Sequence, residues 1–215
     1  MSPQSRPRLL LLGVGVLALL VAGVVMMRSP GPAPSDASAV RGAAKAEPMA
    51  AGMFNPAYAA PEFSLNGSDG SNVTLARYRG KVVLMTFGFT HCAAVCPTTL
   101  ATLAQARSLL GKAADRVQVI YVTVDPERDD AAHLRDHLAA FDRSFIGATG
   151  APDALAAVRG KYGVTAVRQG TGPDYVFSHT SSIFLIDRAG KLRALMPFGH
   201  AAGDFAHDVN FLLAH

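Results

Sequence analysis

Apolar positions along the chain fall into three textures. From Leu9 to Met27 they run unbroken as LLLLGVGVLALLVAGVVMM, 19 residues without a charge, which at about 1.5 Å per residue nearly spans a hydrocarbon core about 30 Å thick. From Gly31 to Met53 they lose all period among Pro, Ala, Gly and Ser, the composition of a flexible tether. Beyond about Tyr58, short β-branched runs alternate with amphipathic stretches, the pattern of a central sheet covered by helices on both faces.

Within that last stretch, Phe63 to Leu65 and Val73 to Leu75 flank the turn-rich Asn66-Gly67-Ser68-Asp69-Gly70 and predict a leading hairpin. Lys81 to Phe89 reads as a first buried strand, and Pro97 to Gly111 as a helix with Leu100, Leu103 and Leu110 on one face. Val117 to Val124 is nearly all β-branched, as a parallel strand buried on both faces requires. A helix capped by Asp129 or Asp130 runs to about Ala140, a short strand covers Phe145 to Ala148, and Pro152 starts a helix ending near Gly163. Val164 to Val167 is a short extended piece before a Gly-rich loop. Tyr175 to Ser178, Ser182 to Asp187 and Leu192 to Met196 read as strands, the last two joined by a hairpin turn at Arg188 to Lys191, and a final helix covers about Ala202 to Leu213. This order predicts an α/β, thioredoxin-like fold with a leading β-hairpin and insertions, preceded by an N-terminal transmembrane helix.

Charge orients the anchor. Arg6 and Arg8 precede the apolar run, which keeps the short leading end in the cytoplasm. The expected division is a cytoplasmic end, 1–8, a transmembrane anchor, 9–27, a tether, 28–57, and a folded domain, 58–215. The domain is then expected on the periplasmic, extracytoplasmic side of the inner membrane. A cleaved signal peptide is the alternative. Its best small-residue site, Ala37-Ser38-Ala39, lies about a dozen residues past the run, farther than that layout places it. Lys and Arg number 20 against 16 Asp and Glu, a formal +4 spread thinly. With no basic cluster, nucleic acid is not an expected partner.

Only two cysteines occur, in Thr90-His91-Cys92-Ala93-Ala94-Val95-Cys96-Pro97. About 160 residues can bury a core without a disulfide staple, so the pair is free for chemistry. A strand, a short loop and a helix opened by Pro97 would set both sulfurs where unpaired amides favour thiolates. In a first helical turn, i and i+4 share a face. Both sulfurs can then meet on one soft metal ion, or close as a redox disulfide between Cys92 and Cys96. The motif alone does not choose, and a third donor would. Of seven histidines, His179 stands at the mouth of a central strand, in a loop that faces the first helix of a thioredoxin-like fold. Redox thioredoxins place a cis-proline there. Ser178-His179-Thr180-Ser181 has none and offers an imidazole instead.

Phe87-Gly88-Phe89-Thr90-His91-Cys92-x-x-x-Cys96-Pro97, then Val124-Asp125-Pro126-Glu127-Arg128-Asp129, then His179-Thr180 before an apolar strand, resembles the Sco/SenC family of membrane-anchored copper-binding assembly factors over about Tyr58 to Leu213. The resemblance implies copper, as Cu(I) or Cu(II), on Cys92, Cys96 and His179. It also implies help in metallating the binuclear copper centre of cytochrome c oxidase, with subunit II or a related copper protein as partner and a thiol reductant protein as a second one. Independently, two thiolates and an imidazole suit Cu(I), and an incomplete shell leaves room for a partner's ligand. The chain departs from many family members in carrying Ala93-Ala94 where they have Pro-Asp, which removes an acidic group beside the site.

Other signals are weaker. Asp125, at the C-terminal end of a buried strand, either orients a ligand or screens the site's charge from behind the ligands, or with Pro126 only organises the turn before the next helix. His133 and His137 share a helix face at i, i+4 without a third donor and read as surface. His91 adjoins Cys92 and is expected to diverge from the sulfur. Met49 and Met53 in the tether could touch copper transiently, but two methionines in an alanine-rich linker read as chance. Two rivals to a copper chaperone remain: a membrane-tethered thiol-disulfide reductase and a peroxidase of the peroxiredoxin kind. The latter would want one strongly activated cysteine beside an arginine.

Overall fold

The computed structural model describes residues 48–215. Alternation along two neighbouring strands explains the architecture. In β4 (Val82–Gly88), Val82 and Leu84 face one core while Val83, Met85 and Phe87 face another; in β5 (Val117–Thr123), Val117, Val119 and Tyr121 join the first and Ile120 and Val122 the second. Both strands are buried throughout, so the sheet must be covered on both sides.

The covering helices follow from the same pattern. Leu100 and Leu103 of α1 (Val95–Leu110), Leu134 and Leu138 of α2 (Ala131–Ala139), and Phe205, Val209 and Leu212 of α4 (Ala202–Ala214) fill the first face. Leu155 and Val158 of α3 (Pro152–Lys161) close the second. Each fully buried leucine contributes about 1.5–3 kcal/mol of transfer free energy.

The remaining strands are β1 (Gly52–Ala59), β2 (Leu65–Gly67), β3 (Asn72–Val73), β6 (Ile146–Thr149), β7 (Ala166–Gln169), β8 (Val176–His179), β9 (Ile183–Ile186) and β10 (Lys191–Met196). Eight form one sheet in the order β1-β10-β9-β4-β5-β6-β2-β3, with β4, β5 and β6 parallel and β9 antiparallel to β4. The α/β, thioredoxin-like plan with a leading hairpin holds. β7 and β8 pair as a separate two-stranded ribbon before the chain re-enters the main sheet at β9.

Two expectations are corrected. The helix after the cysteine loop starts at Val95, with Cys96 and Pro97 inside its first turn, where a missing N–H costs nothing. The tether, expected to run to residue 57, ends earlier: Gly52 already pairs with Leu195 in β10. β1 escaped the periodicity because it has no fully buried residue. Its pairing rests on main-chain hydrogen bonds, and Pro56 is tolerated because the strand lies at the sheet edge. Just before it, the N–H groups of Ala50 and Ala51 donate to the two oxygens of the buried Asp208 carboxylate on α4, at 2.7 and 2.8 Å. Among the described residues no helix is long and apolar enough to cross a membrane. The expected cytoplasmic end, anchor and first part of the tether, through residue 47, lie outside the described residues.

Candidate metal centre

Cys92 sits in the loop after β4, not on the helix, so the sulfurs meet through a turn of the loop and not through helical i, i+4 spacing. The Cys92 N–H donates to the carbonyl of Phe89 at 3.3 Å, and the Cys96 N–H donates to the Cys92 sulfur at 3.4 Å. No side-chain oxygen caps α1; the sulfur takes that place. Both cysteines are free.

The two thiols are unlike. Burial pushes Cys96 up to about 12, and a neighbouring Cys92 charge adds to this; the Phe89 amide group and Tyr121 hydroxyl oppose it. Burial also works to raise Cys92, yet the amides of Cys96, Ala94 and Val95, with the Cys96 thiol, outweigh it and hold Cys92 below its ordinary value. In the metal-free chain the pair is therefore an accessible, thiolate-prone Cys92 served by a buried, protonated Cys96.

His179 closes β8 and turns its ring toward Cys96. Its Nδ1 lies 2.9 Å from the Thr180 carbonyl oxygen. An acceptor there requires a proton on Nδ1, which in the neutral ring leaves a lone pair on Nε2. That Nε2 stands 3.6 Å from the Cys96 sulfur. Thiolate and imidazole bonds of about 2.3 and 2.0 Å to one ion, at an angle between tetrahedral and trigonal, separate their donors by about 3.6 Å. The donor set fits a soft ion. An edge-on contact with Phe89, centroids 5.9 Å apart, fixes the ring from behind.

One neighbour gave no signal in the sequence. The Tyr121 side chain is 1% exposed and lines the same small void as Cys96 and His179. Its hydroxyl makes no hydrogen bond of good geometry, although it lies close enough to Cys96 for the two groups to perturb each other. A buried hydroxyl without an acceptor is costly. A deprotonated Cys96 sulfur would supply one. Glycine at position 88 makes this possible, because a Cβ there would overlap the Tyr121 hydroxyl.

Asp125 makes no hydrogen bond to Cys92, Cys96 or His179. Its 1%-exposed carboxylate pairs with Arg128 and accepts from the Tyr175 hydroxyl at 2.6 Å. Arg128 donates on to the carbonyls of Pro173 and Tyr175 at 3.2 and 3.0 Å, and Arg128 and Arg168 sandwich the Tyr175 ring at 3.6 and 3.5 Å. The β5–α2 turn is thereby latched to the segment that leads into β8 and His179.

His91 does diverge from the sulfurs, but not into solvent alone. Together with Asp129 and His133 it forms a group whose ligating atoms all lie within 4.8 Å of one another. His137 does not share this: its ring packs on Phe141, centroids 5.6 Å apart, and its Nε2 is enclosed without a partner. Met49 is buried in the core against α4, and Met53 is exposed on β1.

Comparison with known proteins adds relatives to this geometry. The SCO1/SenC family model matches residues 52–214. A mouse protein, the mitochondrial SCO2 homolog, is 36% identical over 133 residues, 60% of this chain and 52% of its own length; the chain spans about half of that relative. The copper-bound structure of Bradyrhizobium japonicum ScoI superposes with a TM-score of 0.67 and 35% identity, covering 72% of this chain and 99% of that one. BsSco, described as a member of the Sco family of cytochrome c oxidase assembly proteins and as carrying a disulfide switch, aligns at 27% identity and a TM-score of 0.60, covering 74% of this chain and 96% of its own.

Proposed function

The chain belongs to the SCO1/SenC family, and from that premise we propose that it is a copper chaperone for cytochrome c oxidase assembly that carries its ion on Cys92, Cys96 and His179. The observation that carries the reading is the Nε2 lone pair of His179, fixed by its Nδ1–H bond and held 3.6 Å from the Cys96 sulfur. Three donors of this softness suit Cu(I), and a three-coordinate shell accepts an incoming ligand without releasing the ion. The relatives reported with bound copper or as oxidase assembly proteins support it. The binuclear copper centre of subunit II, or a related copper protein, is the recipient. A single-pass inner-membrane anchor at 9–27 would hold the domain on the periplasmic side, near that partner.

The asymmetry of the thiols favours a second reading, a thiol-disulfide reductase in which Cys92 attacks a target disulfide and Cys96 resolves the mixed disulfide. Released target thiol and a Cys92–Cys96 disulfide would balance the exchange, with an external thiol reductant restoring the pair.

Anaerobic Cu(I) titration of the full-length chain in detergent separates the two. One Cu(I) should bind per chain, and both His179→Ala and Cys92→Ser should weaken it at least tenfold. Equal Cu(I) affinity with and without the imidazole sinks the chaperone reading. A reductase would lose disulfide exchange in Cys92→Ser and keep it in His179→Ala.

A further inference from the structure

The Thr90 hydroxyl lies at the hub of a second cluster. It is 2.6 Å from Asp129 Oδ1, 3.1 Å from His91 Nδ1 and 3.0 Å from His133 Nε2. With one proton to give, the hydroxyl donates to the carboxylate and accepts N–H bonds from the two rings. Three groups of metal-ligating type thus aim at one point about 3 Å from each, occupied by an oxygen that a rotation about Cα–Cβ can turn aside.

The charge at that point is unbalanced. Asp129 is 0% exposed, and its other oxygen accepts only from the Thr90 N–H at 3.1 Å and the Thr123 hydroxyl at 2.7 Å. Among the described residues no lysine or arginine forms an ion pair with it, whereas the neighbouring Asp125 has Arg128. Neutral donors alone hold a buried carboxylate expensively, and a bound cation is the usual remedy. His91 and His133 are exposed, with ring centroids 6.1 Å apart and planes tilted by 31°. They leave the point open to an ion and to the waters that would complete its shell.

We propose that His91, Asp129 and His133 form a second metal site, distinct in chemistry from the cysteine pair, that takes a divalent transition-metal ion and Cu(II) in preference. Two imidazoles and a carboxylate are borderline-to-hard donors. They suit divalent ions and suit Cu(I) poorly, and among divalent first-row ions the affinity order peaks at Cu(II). The side chains need to close on the ion by only about an ångström, the difference between the present spacing and metal–nitrogen bonds of about 2.0–2.1 Å. Because Thr90 and His91 lead directly into Cys92, the chain offers a site for the oxidised ion one residue away from the site for the reduced one.

The test uses the full-length, tag-free chain with Cys92→Ser and Cys96→Ser, which removes the thiolate donors and leaves the second site intact. Titrated with Cu(II) in detergent, this variant should bind one ion per chain, with nitrogen hyperfine structure from two imidazoles in its electron paramagnetic resonance spectrum and no thiolate charge-transfer band. Adding His133→Ala, an exposed change on α2 that leaves the Asp130 cap in place, should weaken binding at least tenfold; adding His207→Ala on α4 should not. Absence of binding in the cysteine-free chain, or binding indifferent to His133→Ala, overturns the proposal. Either result leaves Cu(I) on the cysteine pair untouched, because that is read in the parental chain, where His133→Ala should keep one Cu(I).

Discussion

A tyrosine hydroxyl without an acceptor beside a thiol that resists ionisation is a pair waiting for the same event. On the proposed copper site, binding would release the Cys96 proton and make the sulfur the acceptor that Tyr121 lacks. Tyr121→Phe should therefore act oppositely on the two states. The metal-free chain should melt no lower than the parent, because an unsatisfied buried group is deleted. Copper affinity should fall by about 1.5–3 kcal/mol, roughly ten- to a hundredfold, the worth of a hydrogen bond to a charged group. Differential scanning calorimetry with and without Cu(I) reads both, and an equal loss in the two states would refute the coupling. The meeting of His179 with the cysteine loop was legible in the sequence because ligating residue types are rare, stand at strand ends and are spaced around a turn. Tyr121 was not. A tyrosine in the run Val117 to Val124 reads as core, and its role depends on the pleat that sets it against Gly88 and on the seat of α1 above it.

Elements were legible wherever a side-chain period reports burial. β4, β5 and the four helices lie within a few residues of their expected bounds, since each buries a face or both. The relation between elements was not legible: nothing in Val124-Asp125-Pro126-Glu127-Arg128 says that Asp125 and Arg128 grip the chain 45 to 50 residues downstream, by way of Tyr175 and Pro173. The same blindness hid the second cluster, because His91, Asp129 and His133 come from two loops and a helix that meet only in the fold. The latch predicts a graded response. Arg128→Met leaves Asp125, 1% exposed, without its cation, which costs about 3–5 kcal/mol. It also frees the strand that carries His179, so Cu(I) affinity should drop along with the melting temperature. Combining it with Asp125→Asn removes the stranded charge and should recover part of the stability but not the affinity. Full recovery of both would mean that the latch positions nothing.

For the domain as a whole, the sheet ends at an edge strand that contributes almost no side-chain burial, so something other than hydrophobic contact must hold it. Asp208 supplies it: a fully buried carboxylate on α4 receives two N–H groups from the segment just ahead of β1, while Met49 packs beneath. Helix, edge strand and incoming chain are joined at one residue. Each hydrogen bond to a charged acceptor is worth about 1.5–3 kcal/mol. Asp208→Ala should therefore lower stability by about 3 kcal/mol or more. Its distinctive mark is regional: amides of Ala50, Ala51 and the β1 segment from 52 to 59 should exchange with deuterium much faster, while β4 and β5, closed between two cores, keep their protection relative to the new global stability. If exchange rose uniformly, Asp208 would be an ordinary contributor to the core. If β1 stayed as protected as β5, main-chain pairing with β10 would suffice by itself, and the edge would need no staple.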